Sequence, residues 1–324
     1  MKIVRVLVAF IMVVGASAGA FQAFAQGYPG KPVRIIVPFT PGSATDVIAR
    51  TVGQKLSEIW GQPVVVENRT GAGGTIGAGV VAKSPADGYT LLVSSSGYAV
   101  NAALYASLPY DPLNDFVSVA PLASQPYVLV SGASTGMKTV AELIAAAKAK
   151  PGQINFGSAG TGSGTHLVAE KFRLAAGIDV VHVPYKGGPE ANTDTMTGRV
   201  TYWFPPVAIA LPHVNGGRLL ALGVSSARRS SLLPEVPTIA EAGVGGFSDA
   251  LWNGMWAPAQ TPPEVVDKLA KDVARALAAP DLRERLAKLG AEPMSMTPSE
   301  FTRFVRSEIE DSTRIVKAAG IKPQ

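Results

Sequence analysis

Two stretches place glycines and small hydroxyl residues between a β-rich run and a helical run. The first is Phe39, Thr40, Pro41, Gly42, Ser43, Ala44, Thr45 and Asp46. A loop that leaves a strand and opens a helix exposes the first-turn N–H groups of that helix beyond the strand's carboxyl end. Those dipoles favour an anion without any cationic side chain. Gly42 permits close backbone approach, and Ser43 and Thr45 add hydroxyl donors. The same two hydroxyls also suit a helix cap, and Asp46 suits the positive end of the helix dipole. Capping and binding are compatible.

The second stretch is Ser158, Ala159, Gly160, Thr161, Gly162, Ser163, Gly164, Thr165 and His166. Its bare amides and short hydroxyls fit a carboxylate or a phosphate. It is not a nucleotide loop. No Gly-Lys-Ser/Thr ending is present, and Thr165 stands where the third glycine of a dinucleotide fingerprint belongs. His166 reads more readily as a satisfied helix-start histidine than as a ligand or base. Three further segments add candidates: Ser95 and Ser96 after another β-rich run, Tyr185 and Lys186 after a fourth, and Asn68 to Thr75, where Arg69 precedes a glycine cluster. Lys186 is either a ligand cation or a solvated lysine at a helix start.

Catalytic patterns are missing from the sequence. There is no cysteine, and the three histidines lack metal-ligand spacing. A nucleophile elbow around Ser163 fails because Thr161 occupies its first glycine position. Acids are too dispersed to single out a glycosidase pair. The expectation is a binding protein that is not an enzyme and needs no cofactor or metal.

Short runs rich in Val, Ile and Leu must position these loops. Strands are expected over 33–39, 64–67, 89–94, 154–157, 180–184, 200–204 and 219–225, with helices over 45–59, 140–150, 165–176 and 189–197. Near-continuous apolar strands alternating with helices predict an α/β class with parallel sheets covered on both faces. Beyond Thr261 helix follows helix, over 262–277, 282–289 and 298–319. Thr297 and Glu300 have capping-box spacing at the last of these. Extended stretches at 120–132 and 247–258 are candidate crossings between two domains. The expected division is residues 26–125 plus 250–324 as domain 1 and 126–249 as domain 2, with a ligand cleft between them.

The chain has 324 residues, 47% hydrophobic and 16% charged, which excludes extended disorder. Lys2 and Arg5, an apolar run and Ala23-Phe24-Ala25 form the layout of a secretory signal peptide, so cleavage after Ala25 and a periplasmic address are expected. Losing residues 1–25 removes two of 29 basic residues and none of 24 acidic ones, which leaves a net charge of +3. A balance so near neutral, with no basic stripe, argues against nucleic acid.

Several ordered runs together resemble a known family, the periplasmic solute receptors of tripartite tricarboxylate transporters, also called Bug-type receptors. They are 28–34, 38–50, 66–69 with 71–77, 87–91, 158–167 and 232–242. Leu108-Pro109-Tyr110-Asp111-Pro112, Val181-His182-Val183-Pro184-Tyr185-Lys186-Gly187 and Leu211-Pro212-His213 complete the set. The resemblance implies a type II periplasmic-binding-protein fold, with two α/β domains joined by a two-crossing hinge. It also implies a small organic carboxylate as ligand, held by loops matching 39–46 and 158–165 with bridging waters instead of an arginine. A two-subunit membrane permease is implied downstream; a monomer is expected. A sensor for a signalling kinase and an exported enzyme on the same scaffold are the alternatives.

Two departures bear on the ligand. Gly42 is followed by Ser43, where many relatives have a second glycine. Phe204 is followed by Pro205 and Pro206, where relatives often carry an Asp that would accept from an ammonium. With Trp203, Phe204 and Tyr98 nearby in the pattern, the expected ligand has no amine and is a candidate aromatic acid, with Pro205 at the site.

Overall fold

The computed structural model describes residues 27–321; the expected signal segment at 1–25 lies outside them. Two mixed sheets carry the fold. The first has β1 (Val33–Val37), β2 (Val64–Asn68), β3 (Thr90–Ser95), β4 (Phe116–Pro126), β10 (Ala250–Pro258) and β11 (Glu292–Pro293), in the order β11-β4-β10-β3-β1-β2. The second has β5 (Val128–Gly132), β6 (Asn155–Ser158), β7 (Val181–Pro184), β8 (Tyr202–Trp203) and β9 (Leu219–Val224), in the order β7-β6-β8-β5-β9. Helices α1 (Ala44–Trp60), α2 (Thr75–Ala82), α3 (Gly97–Leu104), α8 (Pro263–Ala278), α9 (Pro280–Lys288) and α10 (Pro298–Ala318) accompany the first sheet. The second has α4 (Val140–Ala149), α5 (Gly164–Ala176), α6 (Gly188–Met196) and α7 (Val207–Asn215).

The expectation of parallel sheets is corrected. β1, β2 and β3 are parallel, as are β6, β7 and β8, but β4, β5, β9 and β10 all enter antiparallel pairings. The reason lies in the chain path. β4 runs to Pro126 in the first sheet and β5 begins at Val128 in the second, with Tyr127 alone between them. The return comes between Val224 and Ala250, where β10 pairs back along β4. The prolines of β4 look like interruptions in the sequence. In the structure Pro121 lies opposite Gly254 beside a register shift, the kind of irregularity where a strand tolerates proline.

The parallel strands all end at the same place, the space between the sheets, and each is followed by a loop and a helix. Helix α1 shows how such a unit is fixed. Ile48, Val52 and Leu56 recur every four residues and are buried against the first sheet, and Gly61 ends the helix with φ 62°. Helix α10 begins with the expected capping box: Thr297 Oγ1 accepts from Glu300 N, and Glu300 Oε2 accepts from Thr297 N. Among the described residues no helix is long and apolar enough to cross a membrane.

Candidate functional site

The loop after β1 is held from beneath by Asp46. This buried carboxylate accepts from Gly42 N at 2.9 Å, from Arg50 Nε at 3.0 Å and from Asn68 Nδ2 at 2.8 Å. Asn68 Nδ2 also donates to Phe39 O, so the amide ties both ends of the turn. Burial would raise the Asp46 pKa, but the bonds from Arg50, Gly42 and Asn68 outweigh it and hold the carboxyl below its ordinary range. Ser43 caps α1, its Oγ accepting from Asp46 N at 3.3 Å. The amides of Ala44 and Thr45 have no acceptor among the described residues.

The loop after β6 does the same job with neutral groups. Ser163 caps α5 by accepting from His166 N at 3.2 Å, and Thr165 Oγ1 accepts from Ala159 N at 2.8 Å. Ser158 Oγ accepts from Gly160 N and is hydrogen-bonded to His182 Nε2 at 2.6 Å. His166 Nδ1 accepts from Gly162 N at 3.4 Å. The two imidazoles stack with centroids 4.0 Å apart, and Phe156 covers His182. Burial lowers His166 to about 4; burial and then the neighbouring His166 lower His182 to about 3. Both rings are therefore neutral at ordinary pH. The amides of Gly164 and Thr165 are again left without an acceptor among the described residues.

The two loops face each other across a narrow cavity of ≈ 30 Å³, room for about two waters. Of the residues singled out in the two loops and at Ser95, Phe39, Ser43, Ala44, Thr45, Ser95, Ala159, Ser163, Gly164 and Thr165 line it. Gly188, Trp203, Pro206, Ile209 and Leu251 supply an apolar wall that the sequence argument had not assembled. No Asp, Glu, Lys, Arg or His is on this lining. Among the described residues no group of three or more His, Asp or Glu is placed to hold a metal.

Other candidates fall elsewhere. Asp46 and His166 sit beneath the loops and brace them. Ser158 bonds to His182 below the second loop, while Pro41 and Gly42 are exposed. Thr40 rests against Gly187, where a Cβ would come within 1.9 Å of its Oγ1. Gly162 packs on Asn101, and Ser96 on Tyr127 at 3.3 Å. Gly160, Thr161, Tyr185 and Lys186 line a second, wider cavity of ≈ 300 Å³ that shares Phe39 and Ala159 with the first. There the Tyr185 hydroxyl donates to Asp194 and is raised to about 12, chiefly by burial. The Pro205 carbonyl accepts from Val128 N, and its neighbour Pro206 lines the cavity. Tyr98 and Phe204 are likewise packed in the cores on either side, so of the three aromatic residues only Trp203 reaches the cavity.

Two α/β lobes with strand-to-helix loops meeting over a common cavity define the class of periplasmic binding proteins. Residues 48–321 match the tripartite tricarboxylate transporter family receptor, and the chain belongs to that family. The Bordetella pertussis protein BugT is 40% identical over 319 residues, covering 98% of each chain. Among solved structures, an R. palustris protein with adipate superposes with a TM-score of 0.89 at 37% identity, over 92% of this chain and all of the other. The periplasmic binding protein BugD gives 0.87 at 33%, with the same coverages. The protein is thus a solute-binding receptor by family.

Proposed function

We propose that the mature chain, beginning at Gln26, captures a small organic carboxylate in the periplasm and presents it to a two-subunit membrane permease. The observation that carries this reading is the pairing of Ala44 and Thr45 with Gly164 and Thr165: four unengaged amides, at two helix N-termini, lining one cavity. Preorganised dipoles of this kind stabilise a buried anion without a counter-charge. The solved relative that holds adipate, and an R. palustris MatC structure with bound malate at 32% identity and TM-score 0.84, support carboxylate as the ligand chemistry.

The proposed lobes are residues 26–125 with 250–324, and residues 126–249. The paired strands β4 and β10 lead into the two crossings and form the proposed hinge. Closure brings Gly73 against Thr161 and Gly97 against Gly162, contacts between segments on opposite lobes. A single chain supplies both walls, so one protomer suffices for binding.

The test is a thermal-shift screen of the mature chain with mono- and dicarboxylates. A ligand that binds only the folded state raises the melting temperature by mass action. At least one carboxylate should do so; a flat response to all of them, adipate and malate included, overturns the reading.

A further inference from the structure

Helix α5 carries the second loop's unengaged amides at its N-terminus, and it touches the opposite lobe along its whole length. In its first turn, a Cβ at Gly164 would come 2.3 Å from Ser96 Oγ. One turn on, Leu167 is buried in a cluster whose other buried members, Val100, Leu104 and Val316, belong to α3 and α10. Near its end, Arg173 Nη2 donates at 3.0 Å to the carbonyl of Ala319, the C-cap of α10. By the rise of an α-helix, Arg173 stands about 14 Å from the amide of Gly164.

The Arg173 contact is prepared on both sides. Arg173 Nε donates at 2.6 Å to the buried Glu170, which pins the guanidinium to its own helix while Nη2 reaches α10. On the other side, Gly320 has φ 67°, Gly320 N returns to Lys317 O and Ile321 N to Val316 O, the two bonds of a Schellman turn. That turn leaves the Ala319 carbonyl at the negative end of the helix dipole, where a cation is favoured. Lys171 lies about 200° round α5 from Arg173 and pairs with Asp249, within its own lobe. A rotation about the two crossings leaves the Lys171 pair in place and breaks the Arg173 bond.

We infer that Arg173 and the C-cap of α10 form a latch that holds the lobes closed, with Arg173 a positioning residue acting through α5 on the distant site. This rests on the receptor reading and the lobe division proposed above. A ligand held only by the closed form loses affinity in step with the closed population, so the latch adds to affinity without touching the ligand.

The chain has no cysteine, so Lys83→Cys and Thr193→Cys, at exposed positions on opposite lobes, give one pair of spin labels. Pulsed electron resonance on the ligand-free mature chain should show a shorter and a longer separation. Arg173→Met keeps the aliphatic stem and should lower the short-to-long ratio about tenfold, the factor of one hydrogen bond from a charged donor. Calorimetry with adipate and with malate should show the same loss. Arg173→Lys should recover most of both, because an ammonium also donates to a helix's last carbonyls. A residue that only braced α5 would lower the melting temperature and leave the ratio of separations alone. If Arg173→Met does not fold, Gly320→Val serves. A Cβ there meets nothing within 4 Å, yet a β-branched residue resists φ 67°, so the turn is opposed while Arg173 and Glu170 stay.

Separations that neither variant alters overturn the latch, and so does equal affinity of native and Arg173→Met chains for an acid that binds. Failure of every carboxylate to bind overturns the receptor reading instead, and the ligand-free separations still decide the latch.

Discussion

The two loops that meet over the cavity present nearly identical surfaces from different foundations. Each follows a parallel strand, each opens a helix capped by a serine, and each leaves two first-turn amides unengaged. Beneath the first lies an ionised carboxylate that accepts from Arg50, Asn68 and Gly42. Beneath the second lies a neutral stack of His182 and His166 joined to Ser158 and Gly162. Backbone dipoles can therefore be aimed by a charge or by neutral rings. The difference shows when protons are added.

The largest effect should come from cutting the charged foundation. Asp46→Ala leaves a guanidinium, an amide and a backbone N–H without their acceptor, and should cost on the order of 2–4 kcal/mol in urea unfolding. A loss below about 1 kcal/mol would mean that the loop is held by something else.

Acidification should separate the foundations. His166 and His182 have folded pKa values near 4 and 3, below the ordinary 6.5. Between 6.5 and those values the unfolded chain takes up protons that the folded chain refuses, so stability falls as pH falls through that window. Asp46 is depressed below 3.8, so its contribution persists above that range and is lost only at lower pH. The melting temperature should drop between pH 6.5 and 4, and His182→Gln should flatten the drop. An unchanged slope in the variant would remove the histidines from the explanation.

A closure mutant should weaken binding without lowering stability. A Cβ on Gly97 would stand 3.0 Å from Gly162 O and 3.2 Å from Ser163 Cα on the opposite lobe. Gly97→Ala should therefore weaken carboxylate affinity about fivefold, by ~1 kcal/mol, while a better helix former leaves α3 no less stable. Equal affinity in calorimetry would argue that the lobes do not meet there when loaded. The smallest effects are the caps: Ser43→Ala and Ser163→Ala should each lower stability by about 1 kcal/mol in denaturant titrations. A difference larger than that between the two would show that one cap also carries the foundation beneath it.

Both loops were legible because their signals are local. A β-rich run, a glycine, a short hydroxyl and a helical run occupy neighbouring positions, and the cap at Thr297 follows from its spacing to Glu300, while at the first loop Ser43 and Thr45 were both open as caps and the structure uses Ser43. The apolar wall was not legible. Trp203, Ile209 and Leu251 come from three separate elements, and nothing local distinguishes a side chain facing a cavity from one facing a core. Tyr98 and Phe204 make the point from the other side, as aromatic residues that sit in cores. Asp46 and His166, named with the candidate ligand residues, bond within their own loops for a reason that spacing does not reveal. Position at a helix start says which groups are near a loop, not whether they lie above it or below.

The amino-acid order by itself settled the periodicities, the Thr297 capping box and the two glycine-and-hydroxyl turns, because each depends on residues a few positions apart. Tertiary structure alone decided that these turns face one another, that strands β4 and β10 run antiparallel, and that Trp203 completes the wall. Those outcomes depend on which distant strands pair and on which face of each strand meets the gap, and such choices are made by burial summed over the whole chain.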